Sequence, residues 1–203
     1  MKEETSCRLL IGLGNPGIGY ENTRHNMGVL ALKAFAKKYG FTFQRASHLQ
    51  SEIAIGKVNS QKVLLLIPAV YMNHSGISVR QCMDYYQIPA ADILVVCDDI
   101  ALPLGSFRFR VRGTVGGHNG LKSVESHVRT KDYARVRIGI GDREHGELAD
   151  YVLGHFTKDE VENFPPLFDK VVNFLTLWIQ GEITYAFTSR STEKIKNEKK
   201  LGE

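Results

Sequence analysis

The sequence predicts one α/β domain built on a twisted, mixed β-sheet that is flanked by helices. Short apolar strands alternate along the chain with segments that have the periodicity of amphipathic helices. Residues 92–98 (DILVVCD) contain a continuous apolar run, which is typical of a central strand covered on both faces. Two adjacent strand patterns between 51 and 67, and the alternating FRFRVR at 107–112, indicate antiparallel neighbours, so the sheet is expected to be mixed.

The individual elements follow from apolar spacing and from turn residues. Apolar runs or strict alternation predict strands at 7–13, 51–58, 62–67, 92–98, 107–112 and 134–140. Helical periodicity predicts helices at 24–39, 76–87, 120–128, 158–179 and 182–188. Asn22 or Thr23 is expected to cap the first helix, and the two prolines at 165–166 are expected to break the fourth or to begin its second part.

Length and composition suit one domain that encloses a substantial core. The chain has 203 residues, 43% of them hydrophobic and 24% charged. Residues 1–189 are expected to form this domain, and residues 190–203 a polar, flexible tail. The N-terminus mixes acids with bases and does not resemble a secretory leader, and no apolar run is long enough to span a bilayer. The three cysteines lack a C-x-x-C pair, so we expect reduced thiols and a cytoplasmic location without membrane contact.

Three glycines near the N-terminus raise the question of a dinucleotide-binding site. Gly12, Gly14 and Gly17 spell G-x-G-x-x-G directly after an apolar strand. In a Rossmann turn the third glycine opens a helix, and an acid about 20 residues later holds the ribose. Gly19 follows too soon for a helix to begin there, and no Asp or Glu occurs between Glu21 and Glu52. We therefore interpret the glycines as a tight strand-to-helix connection.

Several catalytic signatures are missing. The chain has no G-x-S-x-G elbow and no H-E-x-x-H pair, and GGHNGLKS lacks the Gly-Lys-Ser core of a Walker loop. Polar residues instead cluster at predicted strand ends, where ligands gather in α/β sheets: Asn15, His25, Asn73, Asp98, His118 and Asn119. Each alone is more often a turn, capping or satisfied residue, so only the set suggests chemistry.

This set supports a mechanism without a protein nucleophile or a metal. His25, near a helix N-terminus, is expected to be a neutral general base. Asp98 would hold the other ring nitrogen and stabilise the imidazolium that forms. The amides of Asn73 and Asn119 would donate to a developing oxyanion. Water attacking an activated carbonyl, such as an ester, fits this arrangement best.

The basic residues indicate the substrate class. Eight of the 26 Lys and Arg residues lie between residues 107 and 137 with only two acids, so that segment has a net charge of +6 in a chain of net charge +4. Arg108, Arg110 and Arg112 share one face of a predicted strand, and Arg135 with Arg137 repeat the pattern. A solvated sheet face is the ordinary explanation, but a stripe without interleaved acids favours nucleic acid phosphate. An ester on a nucleic acid is above all an aminoacyl- or peptidyl-tRNA.

Four ordered motifs resemble the bacterial-type peptidyl-tRNA hydrolases. They are IGLGNPGIGYENTRHNMG, PAVYMNHSG, DDIALPLG and GGHNGLKS, and the similarity covers residues 8–187. The resemblance implies a single α/β domain that acts as a metal-independent monomer without a cofactor or protein partner. Its expected substrate is peptidyl-tRNA, bound at the acceptor arm and 3′ end, whose ester it cleaves to recycle the tRNA.

The resemblance also assigns site residues. It implies that His25 is the base and Asp98 its support, that Asn73 orients water or substrate, and that Asn119 contacts the tRNA 3′ end. Asn15 would distinguish N-blocked peptidyl from free aminoacyl esters. The other expected substrate contacts are Tyr20, Tyr71, Met72 and His118, with Arg108 and Arg137 at the tRNA 5′ phosphate.

The sequence departs from the family at positions near the acid, and this leaves one alternative. Cys97 and Ala101 stand where relatives often carry His and an acid, so the surroundings of Asp98 are less defined than its role. The alternative to the enzyme is a catalytically inactive RNA-binding relative. That alternative predicts loss of the His, Asp and Asn set, and the set is present here.

Overall fold

A computed structural model describes residues 7–142 and 146–183. The strands are β1 (Arg8–Gly12), β2 (Gln44–Ala46), β3 (Ser51–Val58), β4 (Gln61–Pro68), β5 (Ile93–Asp99), β6 (Phe107–Arg110) and β7 (Ala134–Gly139). The helices are α1 (Met27–Tyr39), α2 (Ser75–Tyr86), α3 (Asn119–Val128), α4 (Leu148–Leu153), α5 (Lys158–Glu162) and α6 (Phe164–Ile179). Short 3₁₀ turns precede two of them, Arg24–Asn26 before α1 and Met72–His74 before α2.

The seven strands form one mixed sheet in the order β2-β3-β4-β1-β5-β7-β6. The four central strands, β4, β1, β5 and β7, are parallel to one another, and antiparallel pairs flank them on both sides. The carboxyl ends of the parallel strands therefore lie at one edge of the sheet. This is the edge at which α/β proteins place their ligands.

Helices cover both faces of the sheet, and successive strand residues alternate between two cores. On β1, Leu10 faces the core formed with α1 and α6, whereas Leu9 and Ile11 face the core formed with α2 and α3. All seven residues of β5 are buried. This double coverage explains why the central strands are apolar throughout rather than alternating.

Helix α1 approaches the sheet unusually closely at its first turn. A Cβ on Gly28 would overlap the carbonyl oxygen of Val96 and would lie 2.7 Å from the backbone nitrogen of Leu13. Only glycine permits this contact between α1, the end of β1 and the end of β5. The close approach brings the turn Arg24–Asn26 directly over the carboxyl end of β5.

The predicted fold class and most predicted elements are confirmed. The strand 107–112 is shorter than predicted, because its pairing with β7 ends at Arg110. The short elements β2 and α4 were not predicted. Neither predicted cap of the first helix bonds to it: the Thr23 hydroxyl donates to the carbonyl of Tyr20 at 2.8 Å.

Two predictions concern residues at the C-terminus. The predicted helix 182–188 and the tail 190–203 lie outside the described residues, apart from positions 182–183, which are not helical. Within residues 7–142 and 146–183, no helix combines the length and the apolar character needed to cross a membrane.

Candidate active site

His25 and Asp98 form a buried pair at the carboxyl edge of the sheet. Nδ1 of His25 lies 2.9 and 3.0 Å from the two carboxylate oxygens of Asp98. The His25 side chain is 11% exposed and that of Asp98 is 3% exposed. A carboxylate can only accept, so Nδ1 carries the hydrogen and Nε2 keeps its lone pair. Nε2 has no hydrogen-bond partner among the described residues, so it is available to a bound water or substrate.

A second histidine binds the same carboxylate. Nε2 of His118 lies 3.0 Å from Oδ1 of Asp98, and the two imidazole rings are 4.9 Å apart. Nδ1 of His118 accepts the backbone N–H groups of Gly120 and Leu121, at 3.1 and 3.3 Å, and so caps α3. The sequence predicts His118 as a substrate contact, and no sequence pattern indicates either of these bonds.

The pKa of Asp98 lies well below its ordinary value of 3.8. Burial by itself raises the pKa of this carboxyl, but the electrostatic interactions and hydrogen bonds with His118, together with those of His25, outweigh burial. The carboxylate is therefore ionised at every pH at which the folded protein is expected to act. An ionised Asp98 can accept the hydrogen on Nδ1 of His25, and this bond fixes the orientation of the ring.

Asn15 is held in one orientation by its neighbours. Its Oδ1 accepts the backbone N–H of Met72 at 2.8 Å, so its Nδ2 group is the free donor. Asn26, which the sequence analysis did not single out, fixes the backbone of Asn15 from both sides. The Asn15 N–H donates to Oδ1 of Asn26 at 2.8 Å, and Nδ2 of Asn26 donates to the Asn15 carbonyl at 3.0 Å. The only signal for Asn26 in the sequence is its place beside His25 in TRHN.

The remaining predicted contacts lie on loops at the same edge. Asn73 and Asn119 are exposed and lack hydrogen-bond partners within the described residues, and the turn that carries Asn73 packs on α3. The rings of Tyr20 and Tyr71 meet edge to face with centroids 6.2 Å apart. Met72 is 4% exposed and packs against Gly120, so it forms part of the wall behind these polar side chains.

Arg24 ties the turn Arg24–Asn26 to the segment that contains the C-terminal helices. Its guanidinium donates to the His155 carbonyl at 2.5 Å and to both carboxylate oxygens of Glu160, at 3.0 and 2.9 Å. It also stacks over the rings of Tyr151 and Phe156, at 4.7 and 5.1 Å. Arg24 precedes His25 directly, so these bonds limit the movement of the turn that carries His25. No sequence pattern indicated it, because its partners lie more than 120 residues away.

The basic stripe is only partly a free surface. Arg135, expected to share a wet face with Arg137, is 1% exposed and donates to the carbonyls of Gly113 and Lys131, at 2.8 and 3.0 Å. Burial lowers the pKa of its guanidinium. The expectation of a solvent-facing Arg135 is therefore wrong: an irregular loop beside β7 needs donors for its carbonyls, and Arg135 supplies them.

Arg137, two residues after Arg135 on β7, has a related role. Its guanidinium pairs with Asp99 at 3.0 Å and donates to the carbonyl of Val115 at 2.6 Å. Arg108 lies opposite Arg137 in the β6–β7 pair and is half-buried.

Asn119 lines a groove of about 790 Å³ together with three further cations, Lys122, Arg129 and Lys131. Glu125 is in the same lining, whereas His25 and Asp98 are not, so the groove does not contain the His25–Asp98 pair.

His25, Asp98 and His118 are close enough together to be considered as metal ligands. One donor atom from each lies within 4.8 Å of the others. The hydrogen bonds argue against a metal, because Nδ1 of His118 already accepts two N–H groups and Nε2 must then carry a hydrogen. A ring nitrogen that carries a hydrogen has no lone pair for a metal ion. The cluster is better described as a hydrogen-bonded His–Asp–His arrangement.

Comparisons with known proteins show the family to which the chain belongs. A family model described as peptidyl-tRNA hydrolase matches residues 9–199. The chain is 41% identical to peptidyl-tRNA hydrolases of Levilactobacillus brevis and Bacillus cytotoxicus, over 86% and 85% of its length and 94% and 92% of theirs. A crystal structure of peptidyl-tRNA hydrolase from Acinetobacter baumannii superposes with a TM-score of 0.82 at 33% identity, covering 90% of this chain and 93% of that one. The chain belongs to the peptidyl-tRNA hydrolase family.

Proposed function

We propose that this enzyme hydrolyses the ester between the peptide and the tRNA in peptidyl-tRNA, with His25 as the general base. Family membership supports the reaction and the substrate. The observation that carries the catalytic assignment is the His25–Asp98 contact, which leaves one lone pair, on Nε2 of His25, free at the edge of the sheet.

The base acts on water. Nε2 of His25 takes a proton as the water oxygen attacks the ester carbonyl, and Asp98 stabilises the imidazolium across the 2.9 Å contact. The side chain of His118 cannot take the same role, because neither of its nitrogens has a free lone pair. Of the two histidines on Asp98, only His25 can remove the proton.

Amide donors would stabilise the charge that forms on the carbonyl oxygen. Asn73 and Asn119 have free carboxamides, and Asn15 has a free Nδ2 group because its oxygen is held by Met72. As the tetrahedral intermediate collapses, the bond to the tRNA ribose oxygen breaks and the His25 imidazolium returns its proton to that oxygen. The peptide leaves with a free carboxylate, so the tRNA is released intact.

The cations beside the site suit the acceptor arm of the tRNA. Lys122, Arg129 and Lys131 line the groove together with Asn119, and Arg108 lies in the same segment of net charge +6. Phosphate contacts of this kind position a nucleic acid without reading its sequence. Tyr20 and Tyr71 offer aromatic faces for the 3′ end or the peptide. One chain supplies all of these groups, which supports action as a monomer, and the reduced cysteines support a cytoplasmic location.

The direct test measures release of N-acetyl amino acid from N-acetyl-aminoacyl-tRNA in the presence of EDTA. We expect wild-type turnover and a loss of about 10²–10⁴-fold in kcat for His25→Ala, with tRNA binding retained. His48→Ala is the matched control, because His48 is exposed and lies away from Asp98. Absence of wild-type turnover would support the inactive RNA-binding relative. Equal turnover in His25→Ala and wild type would keep the enzyme but remove His25 as its base.

A further inference from the structure

His118 is bound through both ring nitrogens, and the two bonds constrain each other. Nδ1 accepts two N–H groups at the start of α3, where the side chain acts as the N-cap. Nε2 therefore carries the hydrogen and donates it to Oδ1 of Asp98 at 3.0 Å. The side chain is only 6% exposed, so water has little access to replace either bond.

The cap fixes which nitrogen of His118 carries the hydrogen. A second hydrogen would have to go on Nδ1, where it would face the N–H groups of Gly120 and Leu121 and the positive end of α3. His25 differs, because its Nε2 is free. The two histidines on one carboxylate thus have different capacities: only His25 can exchange a proton.

We propose that His118 is a positioning residue that acts as a fixed hydrogen-bond donor to Asp98 and thereby sets how strongly Asp98 attracts the proton of His25. This inference rests on the proposed function. Oδ1 of Asp98 is shared between the two histidines, at 2.9 Å from His25 and 3.0 Å from His118. A carboxylate that gives part of its charge to His118 holds the His25 imidazolium less tightly.

His118 also links two parts of the site mechanically. The residue that follows it, Asn119, is the first residue of α3, so the same side chain fixes the helix start and the catalytic carboxylate. On β5 and β7, Asp99 and Arg137 pair with each other at 3.0 Å, and Arg135 donates to loop carbonyls. His25 and His118 are therefore the groups that bind Asp98 directly.

Two substitutions separate the two bonds of His118. In His118→Asn the shorter amide retains a good N-cap but cannot reach Asp98. In His118→Gln the amide nitrogen stands near the position of Nε2, so the donor to Asp98 is retained while the cap is weakened. The readouts are the pH dependence of kcat on N-acetyl-aminoacyl-tRNA, the KM and the melting temperature.

We expect His118→Asn to shift the acid limb of the kcat–pH profile to higher pH by about one unit, because Asp98 then holds the His25 proton more strongly. His118→Gln should return the limb to the wild-type position while lowering the melting temperature. The KM should stay within about twofold in both variants, since His118 does not touch the substrate. A rise in KM with an unchanged acid limb would overturn the proposal and support the role of His118 as a substrate contact.

A spectroscopic measurement tests the tautomer without any turnover. Long-range ¹H–¹⁵N NMR of the ring nitrogens should show His118 with hydrogen on Nε2 alone between about pH 6 and pH 8. A hydrogen on Nδ1, or a doubly protonated ring in this range, would overturn the proposal. If the wild type shows no turnover but His118 has this tautomer, the proposed function fails while the fixed donor stands.

Discussion

At the scale of single residues, the site depends on which atoms carry hydrogen. Asp98 accepts from two histidines, and each histidine is defined by what its second nitrogen does. No group in residues 7–142 and 146–183 bonds Nε2 of His25, whereas Nδ1 of His118 accepts two N–H groups at the start of α3. These hydrogen bonds, and not distance alone, are what support His25 as the proposed base.

Asp98→Asn tests this logic with almost no change in shape. The fixed donor of His118 requires an acceptor, so the new amide oxygen would face His118 and the new NH₂ group would face Nδ1 of His25. His25 would then carry its hydrogen on Nε2 and have no lone pair for water. We expect kcat to fall by about 10²–10⁴-fold with KM little changed, as measured by steady-state kinetics. A kcat within a few fold of wild type would contradict the tautomer assignment.

The carboxyl of Asp98 also makes the free energy of unfolding depend on pH. Because the folded pKa of Asp98 lies below its ordinary value of 3.8, the folded protein binds fewer protons there than the unfolded chain does. This contribution to stability is fully present above the ordinary pKa of 3.8, and it is lost as the pH falls from there toward the pKa of Asp98 in the folded protein. Urea unfolding between about pH 5 and pH 3 should show a steeper loss of the free energy of unfolding for wild type than for Asp98→Asn. Parallel pH curves for the two proteins would show that Asp98 is not linked in this way.

At the scale of elements, close contacts and fastenings place the catalytic groups. Gly28 lets α1 touch the ends of β1 and β5, and Arg24 fastens the turn before α1 to the segment 155–160. Arg135 and Arg137 hold the carbonyls of the loop 113–115, which runs from the far end of β6 back to the site and delivers His118. Arginines that the sequence placed on a phosphate-binding face thus also build the site.

Gly28→Ala should disturb both the fold and the site. The added methyl group would overlap the Val96 carbonyl, so α1 would have to move away from the sheet and take the His25 turn with it. We expect a loss of about 1–3 kcal/mol in the free energy of unfolding, or about 2–4 °C of melting temperature for each kcal/mol, together with a reduced kcat.

The control for this change is Gly19→Ala, since nothing lies within 4 Å of a Cβ there and the φ angle is not positive. Thermal unfolding and kinetics of the two variants are to be compared side by side. If both variants behave alike, the close approach of α1 is not what positions His25.

At the scale of the whole molecule, the sequence predicted the fold better than it predicted the bonds within the site. Long periodic segments such as β5 and α6 were found because their patterns extend over many residues. The three-residue strand β2 and the six-residue helix α4 have too few residues for a pattern. His25 and Asp98 were predicted as partners, but the cap formed by His118 and the burial of Arg135 depend on which loops meet, and no local spacing encodes that.

The distribution of cations over the molecule predicts how tRNA binding responds to salt. Arg108 lies on β6, the edge strand beside β7, where it pairs with Arg137 and is half-buried. If it neutralises one phosphate, Arg108→Ala should weaken tRNA binding and reduce the slope of log K against log salt by about one unit. Lys57→Ala is the matched control, because Lys57 is exposed on β3 near the opposite end of the strand order.

Arg135→Ala gives the complementary result, because Arg135 is enclosed and holds loop carbonyls. It should lower the melting temperature, and any loss of tRNA affinity should leave the salt slope unchanged. Fluorescence titrations with tRNA at several salt concentrations measure all three variants. Equal slopes for wild type, Arg108→Ala and Lys57→Ala would remove Arg108 from the tRNA interface and leave the groove cations Lys122, Arg129 and Lys131 as the phosphate contacts.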